Sequence, residues 1–394
     1  MSNNGKDCIT AYLDGIRNEI VALSHNIHDN PELAFEEYKA RDWQIEMLER
    51  HGFTVETPFS GMDTAFKASV KTGEGPRIAF LSEYDALPNG HACGHNLMAA
   101  SAVGAGVGLA RILRDTGTPG EVLVIGTPGE EMKGGKVFMV DLGAFDSVDF
   151  ALMMHPGTKN LVSRGGLAAL PVTVRYYGKG VHSAQPEKGI NALTSLIALF
   201  NSIDMLRQVW PDKGRCNGII SAGGTAHNIV PDFAEGQFSL RAEKKKELVE
   251  MMAAVRVAAE GAAKLTGARL EIIEEALYAE RYPNAVMGEL FKANMESLGE
   301  EMHYPDPDKR VGSSDFGNVS MVVPAIHEYL GIAPESVAGH TDAFREASRS
   351  HRGDDVAVLA AKGLAMTGWD LAVSAEARAA ARKEFEEKAM PNRC

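Results

Sequence analysis

The stretch Arg77-Ile-Ala-Phe-Leu-Ser-Glu-Tyr-Asp-Ala-Leu-Pro-Asn-Gly-His-Ala-Cys-Gly-His-Asn96 opens on a short apolar run. It then turns into a loop rich in Gly, Pro and His, and residues 97–114 beyond it carry a helical apolar pattern. The same texture recurs downstream. Residues 121–125 are an apolar run ending at Gly126-Thr-Pro-Gly129, residues 148–154 are another ending at His155-Pro156, and a fourth lies at 322–329. Apolar runs of strand length alternating with helices predict a largely parallel sheet covered on both faces. Upstream, residues 8–51 read as helical, with Ile16, Ile20, Leu23 and Ile27 in register and a break at Asn30-Pro31.

Between residues 169 and 282 the pattern changes. Residues 170–177 alternate like a strand with one solvated face, and a helix is expected at 191–208. Strands at 218–222 and 234–241, a helix at 244–266 and a strand at 268–274 complete a β-α-β-β-α-β order, the ferredoxin-like split pattern. The expected organisation is one α/β domain, residues 1–168 and 283–394, with an α+β domain, residues 169–282, inserted in it. A charged, Ala-rich helix at 376–388 reads as a surface element.

Composition narrows the function classes. The chain has 394 residues, and 40 Lys+Arg against 53 Asp+Glu give a net charge of −13, which argues against a nucleic-acid binder. With 45% hydrophobic and 24% charged residues, disorder is excluded as a global description. Cys8, Cys93, Cys216 and Cys394 show no disulfide-framework spacing, and the polar N-terminus lacks a signal-peptide core. The longest apolar stretch is broken by Gly104, Gly106, Gly108 and Arg111, and we read the three glycines as allowing close helix packing. The expectation is a cytoplasmic protein with no membrane or nucleic-acid partner.

In open α/β sheets functional groups gather at the carboxyl ends of strands. Here those ends carry Glu83, Asp85, His91, Cys93 and His95, then Glu130 and Glu131, then His155, with His340 following the late strand. Thiolate, imidazole and carboxylate are the ligand types of transition metals such as zinc. Each residue alone is a weak signal; their recurrence at successive strand ends points to a metal site. In the pair Glu130-Glu131 one carboxylate suits metal binding and the other proton transfer, without the sequence saying which. His25, His51, His227, His303, His327 and His351 read as structural or exposed, and Gly126-Thr-Pro-Gly129 lacks the Lys-Ser/Thr of a phosphate loop.

His28-Asp-Asn-Pro-Glu-Leu33, Tyr84-Asp-Ala-Leu-Pro88, His91-Ala-Cys-Gly-His-Asn96, Thr127-Pro-Gly-Glu-Glu131, Met154-His-Pro156, Asn228-Ile-Val-Pro-Asp232 and Ser314-Asp-Phe316 occur in this order. The set resembles the dinuclear metallo-amidohydrolases of the aminoacylase, hippurate hydrolase and glutamate carboxypeptidase superfamily, and most of all its aminobenzoyl-glutamate hydrolase-like, dipeptidase-like branch. The resemblance implies a zinc-peptidase-like catalytic domain with a mostly parallel mixed sheet, plus a ferredoxin-like lid and dimerisation domain. It implies two divalent metals per chain, zinc or manganese, with cobalt or nickel also able to serve. Their ligands would be Cys93, His95, Glu131, His155 and His340. Glu130 would be the general base and Asp85 a carboxylate orienting a ligand. His182 and Asn228 would reach substrate across a homodimer interface, and Arg241 would bind a substrate carboxylate. The expected reaction is hydrolysis of the amide bond of a small N-acyl amino acid or dipeptide by metal-activated hydroxide. The alternatives are a dipeptidase or deaminating relative with the same metals, and a non-catalytic binding or assembly subunit. The chain departs from the hippurate hydrolase type at Leu81-Ser-Glu83, where that type has Arg-Ala-Asp. It also departs at Asn96 and Met98, which stand in place of Asp and His.

Overall fold

The computed structural model describes residues 2–131, 133–306 and 312–393. The chain begins with α1 (Ser2–Gly15), α2 (Arg17–Asp29) and α3 (Tyr38–Arg50). The apolar register through Ile16 and Ile20 is not one helix: at Ile16 the backbone leaves helical geometry (φ −107°, ψ 14°) and α2 starts afresh. Next come β1 (Thr54–Glu56), β2 (Phe66–Lys71), β3 (Arg77–Ser82), α4 (His95–Thr116), β4 (Glu121–Gly126), α5 (Gly135–Asp141) and β5 (Phe150–Gly157). A second series follows, β6 (Ala168–Tyr177), α6 (Ala192–Leu206), β7 (Arg215–Ala222), β8 (Phe233–Ala242), α7 (Lys245–Thr266) and β9 (Arg269–Glu274). The chain closes with α8 (Ala285–Ser297), α9 (Phe316–Ser320), β10 (Ala325–Gly331), α10 (Asp342–Ala347), α11 (His351–Val373) and α12 (Ala375–Lys388). The basic run Arg241–Lys246 is divided between the end of β8 and the start of α7.

Two compact units result: Met1–Gly165 with Tyr282–Arg393, and Gly166–Arg281. In the first, six strands lie in the order β1-β2-β4-β3-β5-β10. The pairs β4–β3, β3–β5 and β5–β10 are parallel, and β1 and β2 add an antiparallel edge. This is the α/β class with the largely parallel sheet that the alternating apolar runs predict, and its antiparallel edge makes it the mixed sheet the resemblance implies. The four parallel strands end on one edge, so the segments after β3, β4, β5 and β10 start side by side. On one face α4 presses so close to the sheet that a Cβ at Gly106 would lie 2.3 Å from Val124 Cγ2, which explains a glycine inside a buried helix. By length and hydropathy both α4 and α11 could cross a membrane, contrary to the sequence reading, yet both are core helices, with 94% and 83% of their apolar windows buried.

The second unit is an antiparallel sheet, β7-β8-β6-β9, with α6 and α7 packed on it. Val172, Val174 and Tyr176 on β6 and Phe238 and Leu240 on β8 meet Leu196, Leu199, Leu248, Met251 and Val255 in its core. Alternating burial along β6 and β8 is what a one-sided sheet demands.

Candidate metal centre

Four strand-end segments build the centre. After β3 the chain passes Glu83 and Asp85 and reaches Cys93 and His95 on either side of Gly94, whose φ of 82° caps α4. His95 Nδ1 donates to Asp85 twice, to the main-chain oxygen at 2.9 Å and to Oδ1 at 3.0 Å. That fixes the tautomer and leaves Nε2 buried without a hydrogen-bond partner, 3.5 Å from Glu83 Oε2 and 4.0 Å from Glu131 Oε1. Asp85 uses its other oxygen to accept from the Glu131 N–H at 2.8 Å, so one carboxylate ties the β3 loop to the β4 loop.

His155 leaves β5 with Nδ1 donating to the Pro156 carbonyl at 2.7 Å, and its Nε2 stands 3.5 Å from Cys93 Sγ. Its ring stacks on Tyr329 (5.2 Å between centroids) and meets His327 edge-on (5.5 Å). His327 is thus an aromatic wall that orients His155, in line with the structural role read for it. His340 takes a left-handed backbone conformation (φ 65°) and brings Nε2 to 3.5 Å from Glu131 Oε1.

Among the described residues three groups place their donor atoms within 4.8 Å of one another: Cys93, His95 and His155; Cys93, Glu131 and His340; and His95, Glu130 and Glu131. Cys93 belongs to the first two, a position from which one thiolate can serve two ions. All five ligands implied by the resemblance fall in these two groups. The donor set fits transition metals, as do the buried, unpartnered His95 Nε2 and Glu131 Oε1. Burial pushes the Cys93 thiol up to about 12, so it loses its proton only to a cation.

Sequence reasoning missed the buried cation beside these ligands. Lys136, at the start of α5, is fully buried with Nζ 2.5 Å from Glu83 Oε1 and 2.9 Å from Asp315 Oδ1. Its main-chain N–H donates to Asp315 Oδ2 at 2.9 Å. Burial works against the ammonium, but Asp315, Glu83 and Glu130 hold it well above the usual lysine range. Burial pushes Asp315 up to about 6 in spite of Lys136. Burial first, then Glu83, Asp315 and Glu131, raises the Glu130 carboxyl well above the usual carboxylate range. Asp85 goes the other way: burial opposes its ionisation, and His95, the Glu131 N–H and Lys136 together outweigh it. Two carboxyl groups tuned apart at one site is the pattern of acid–base division.

In the second unit His182 and Asn228 are neighbours, with the Ser183 N–H donating to the Asn228 carbonyl at 2.9 Å. Both side chains are exposed. His182 Nδ1 accepts from the Ala184 N–H at 3.1 Å, which places the ring proton on Nε2 as an available donor. Arg241 does not join them. It lies near the end of β8, opposite Ala169, whereas the His182 loop adjoins the Tyr177–Phe233 end, about 26 Å away at the usual rise of a strand.

Residues 79–361 match the family described as Peptidase family M20/M25/M40. The chain is 37% identical over 391 residues to the Xaa-Arg dipeptidase of Mus musculus, covering 95% of this chain and 90% of the relative. It is 31% identical over 296 residues to a p-aminobenzoyl-glutamate hydrolase component of Escherichia coli strain K12, covering 70% of this chain and 61% of that one. Among solved structures, a Bacillus subtilis protein described as a dinuclear metal binding peptidase of the M20 family superposes with a TM-score of 0.66 at 21% identity, covering 91% of this chain and 99% of that one.

Proposed function

The chain belongs to Peptidase family M20/M25/M40, and from that premise we propose a substrate, a division of labour in its centre and a composite active site. It is a metal-dependent hydrolase of C–N amide bonds. The substrate proposed is a small dipeptide or N-acyl amino acid. The similarity to an Xaa-Arg dipeptidase puts dipeptides with a C-terminal basic residue first in a panel, followed by aromatic acyl-glutamates. The carrying observation is the pair of donor groups sharing Cys93, with Glu130 beside them.

Cys93, His95, Glu131, His155 and His340 would hold two divalent ions, zinc or manganese, with cobalt or nickel able to substitute. The chemistry supplied by ions bound there is Lewis acidity, which lowers the pKa of water and polarises the scissile carbonyl. Glu130, raised by its buried acidic surroundings, accepts the proton of the attacking water and returns it to the leaving nitrogen. Asp85 holds His95 by Nδ1 and Glu131 by its N–H, keeping two ligands in register. Arg241 would pair with the substrate carboxylate, the role the resemblance assigns it. Cys93→Ala tests the shared donor: elemental analysis after reconstitution should find two ions in the parent and a loss of metal in the variant. A variant with undiminished content would remove Cys93 from the ligand set.

The proposal extends to a cytoplasmic homodimer. Cys93 and Cys216 are thiols outside any disulfide, which suits a reducing compartment. The edge strand β7 exposes Ile219 and Ile220, and α6 exposes Ile197 and Met205, an apolar edge of the kind that pairs with a second copy. In that dimer His182 Nε2–H donates to the developing oxyanion in the partner's site, with Asn228 beside it. Loss of one such donor costs ~10²–10³ in rate, so His182→Ala should be slow yet folded and fully metallated. Mixed with Glu130→Gln under subunit exchange, it should regain activity, because each heterodimer then holds one site with both groups intact. Verified heterodimers without recovery would confine His182 to its own chain or to no catalytic part.

A further inference from the structure

The segment between α2 and α3 contacts the β3 and β4 loops without contributing a ligand. Its Glu32 carbonyl accepts from the Ala86 N–H at 2.8 Å, next to Asp85. The Glu32 carboxylate accepts from Lys39 N (2.9 Å) and Ala40 N (3.0 Å), which anchors the segment on the first turn of α3. Two residues of the segment then close on Gly129, the residue before the Glu130-Glu131 pair. Phe35 adopts φ 67°, a conformation few aromatic residues take, and its ring lies 2.6 Å from where a Cβ on Gly129 would stand. Glu37 is fully buried and its Oε1 accepts from the Gly129 N–H at 2.9 Å. Gly129 itself has φ 69°, so the chain turns there in a conformation open to glycine, and this turn sets the direction in which Glu130 and Glu131 leave it.

We propose that Glu37 is a positioning residue: by holding the Gly129 peptide it fixes the loop that presents Glu130 to the substrate and Glu131 to the metal. Its service is that of an acceptor at a fixed reach, not of a charge. Burial, with Asp85 next, pushes its carboxyl up to about 7, toward the uncharged form that glutamine imitates.

Two variants separate reach from charge. Glu37→Asp keeps the carboxylate and withdraws it by one methylene. It should lower kcat by about tenfold or more with KM within about threefold, since small misplacements of reacting groups are costly. It should also weaken Co2+ binding to the apoprotein by about tenfold, the scale on which groups behind metal ligands act. Glu37→Gln, the conservative variant, should restore both quantities to within about threefold of the parent. A parent-like Glu37→Asp, or a Glu37→Gln as impaired as Glu37→Asp, overturns the proposal. If Glu37→Asp is not recovered folded, Glu37→Gln decides alone, retention of both quantities supporting the proposal and loss of either overturning it. The kcat arm rests on the hydrolase reading above; the Co2+ titration does not. Normal Co2+ binding by the parent without turnover of any panel substrate counts against the proposed substrate. Equal Co2+ affinities for parent and Glu37→Asp count against Glu37.

Discussion

Glu130→Gln should lower kcat by at least ~10²-fold, about 2.7 kcal/mol in the barrier, with metal content unchanged. Glutamine keeps the size and polarity of the side chain but has no carboxylate to take a proton. Burial first, then the neighbouring Glu83, Asp315 and Glu131 carboxylates, raises the affinity of Glu130 for a proton above that of an ordinary carboxylate, the direction a general base requires. Glu131 sits differently: its Oε1 faces both His95 and His340, and its N–H is held by Asp85. Glu131→Gln should therefore release metal, where Glu130→Gln does not. Elemental analysis and steady-state kinetics on the same preparations check both. If metal loss follows Glu130 and slow turnover with full metal follows Glu131, the two roles are exchanged.

Lys136→Met should destabilise the fold by about 3–5 kcal/mol, the usual cost of removing one partner from a buried ionic group. Methionine fills the same space but leaves Glu83, Asp315 and Glu130 facing one another without a cation. The pH dependence has a definite sign. Asp315 is already raised to about 6 with Lys136 as the chief influence holding it down, so without the lysine it rises further. A carboxyl raised in the folded state has its stabilising contribution below its unfolded value and loses it as pH rises through the folded one. The deficit of Lys136→Met should therefore be largest above the variant's own raised Asp315 value and shrink as the pH falls through that value toward about 6, below which Asp315 is protonated in both folded proteins. Urea midpoints across that range measure it, and a pH-independent deficit would mean that lost packing, not uncompensated charge, is its cause.

The strands that carry the centre were legible because parallel strands buried on both faces are short unbroken apolar runs. β3 and β4 are buried at nearly every position, and their polar ends stand out by contrast. The antiparallel edge was not legible: β1 has three residues without a buried one, and β2 alternates over only six. Helix α11 escaped for the opposite reason, since a helix buried on nearly all sides has no polar face to give it a period. In the centre, Cys93, His95, Glu131 and His155 announced themselves by residue type at a strand end. Lys136 did not. A lysine after Gly134-Gly135 reads as surface, and its partners Glu83 and Asp315 lie far off along the chain. Glu37 is hidden in the same way, one acidic residue in Glu36-Glu37 with nothing local to mark which is buried.

The inserted unit also orders events during synthesis. Cys93, His95, Glu131 and His155 leave the ribosome before Gly166–Arg281, whereas β10, His340 and α11 follow it. The insert thus has all four of its strands while the host still lacks the strand that pairs with β5 and the helix that packs on α4. Until those arrive, the nascent chain exposes a half-covered sheet edge beside an incomplete donor set, the point at which it most needs shielding from other chains. An ion captured early meets only part of its coordination shell, so full metallation belongs to the last stage of biogenesis. A message truncated between codons 282 and 340 yields an insert with every strand it requires and a centre that cannot close.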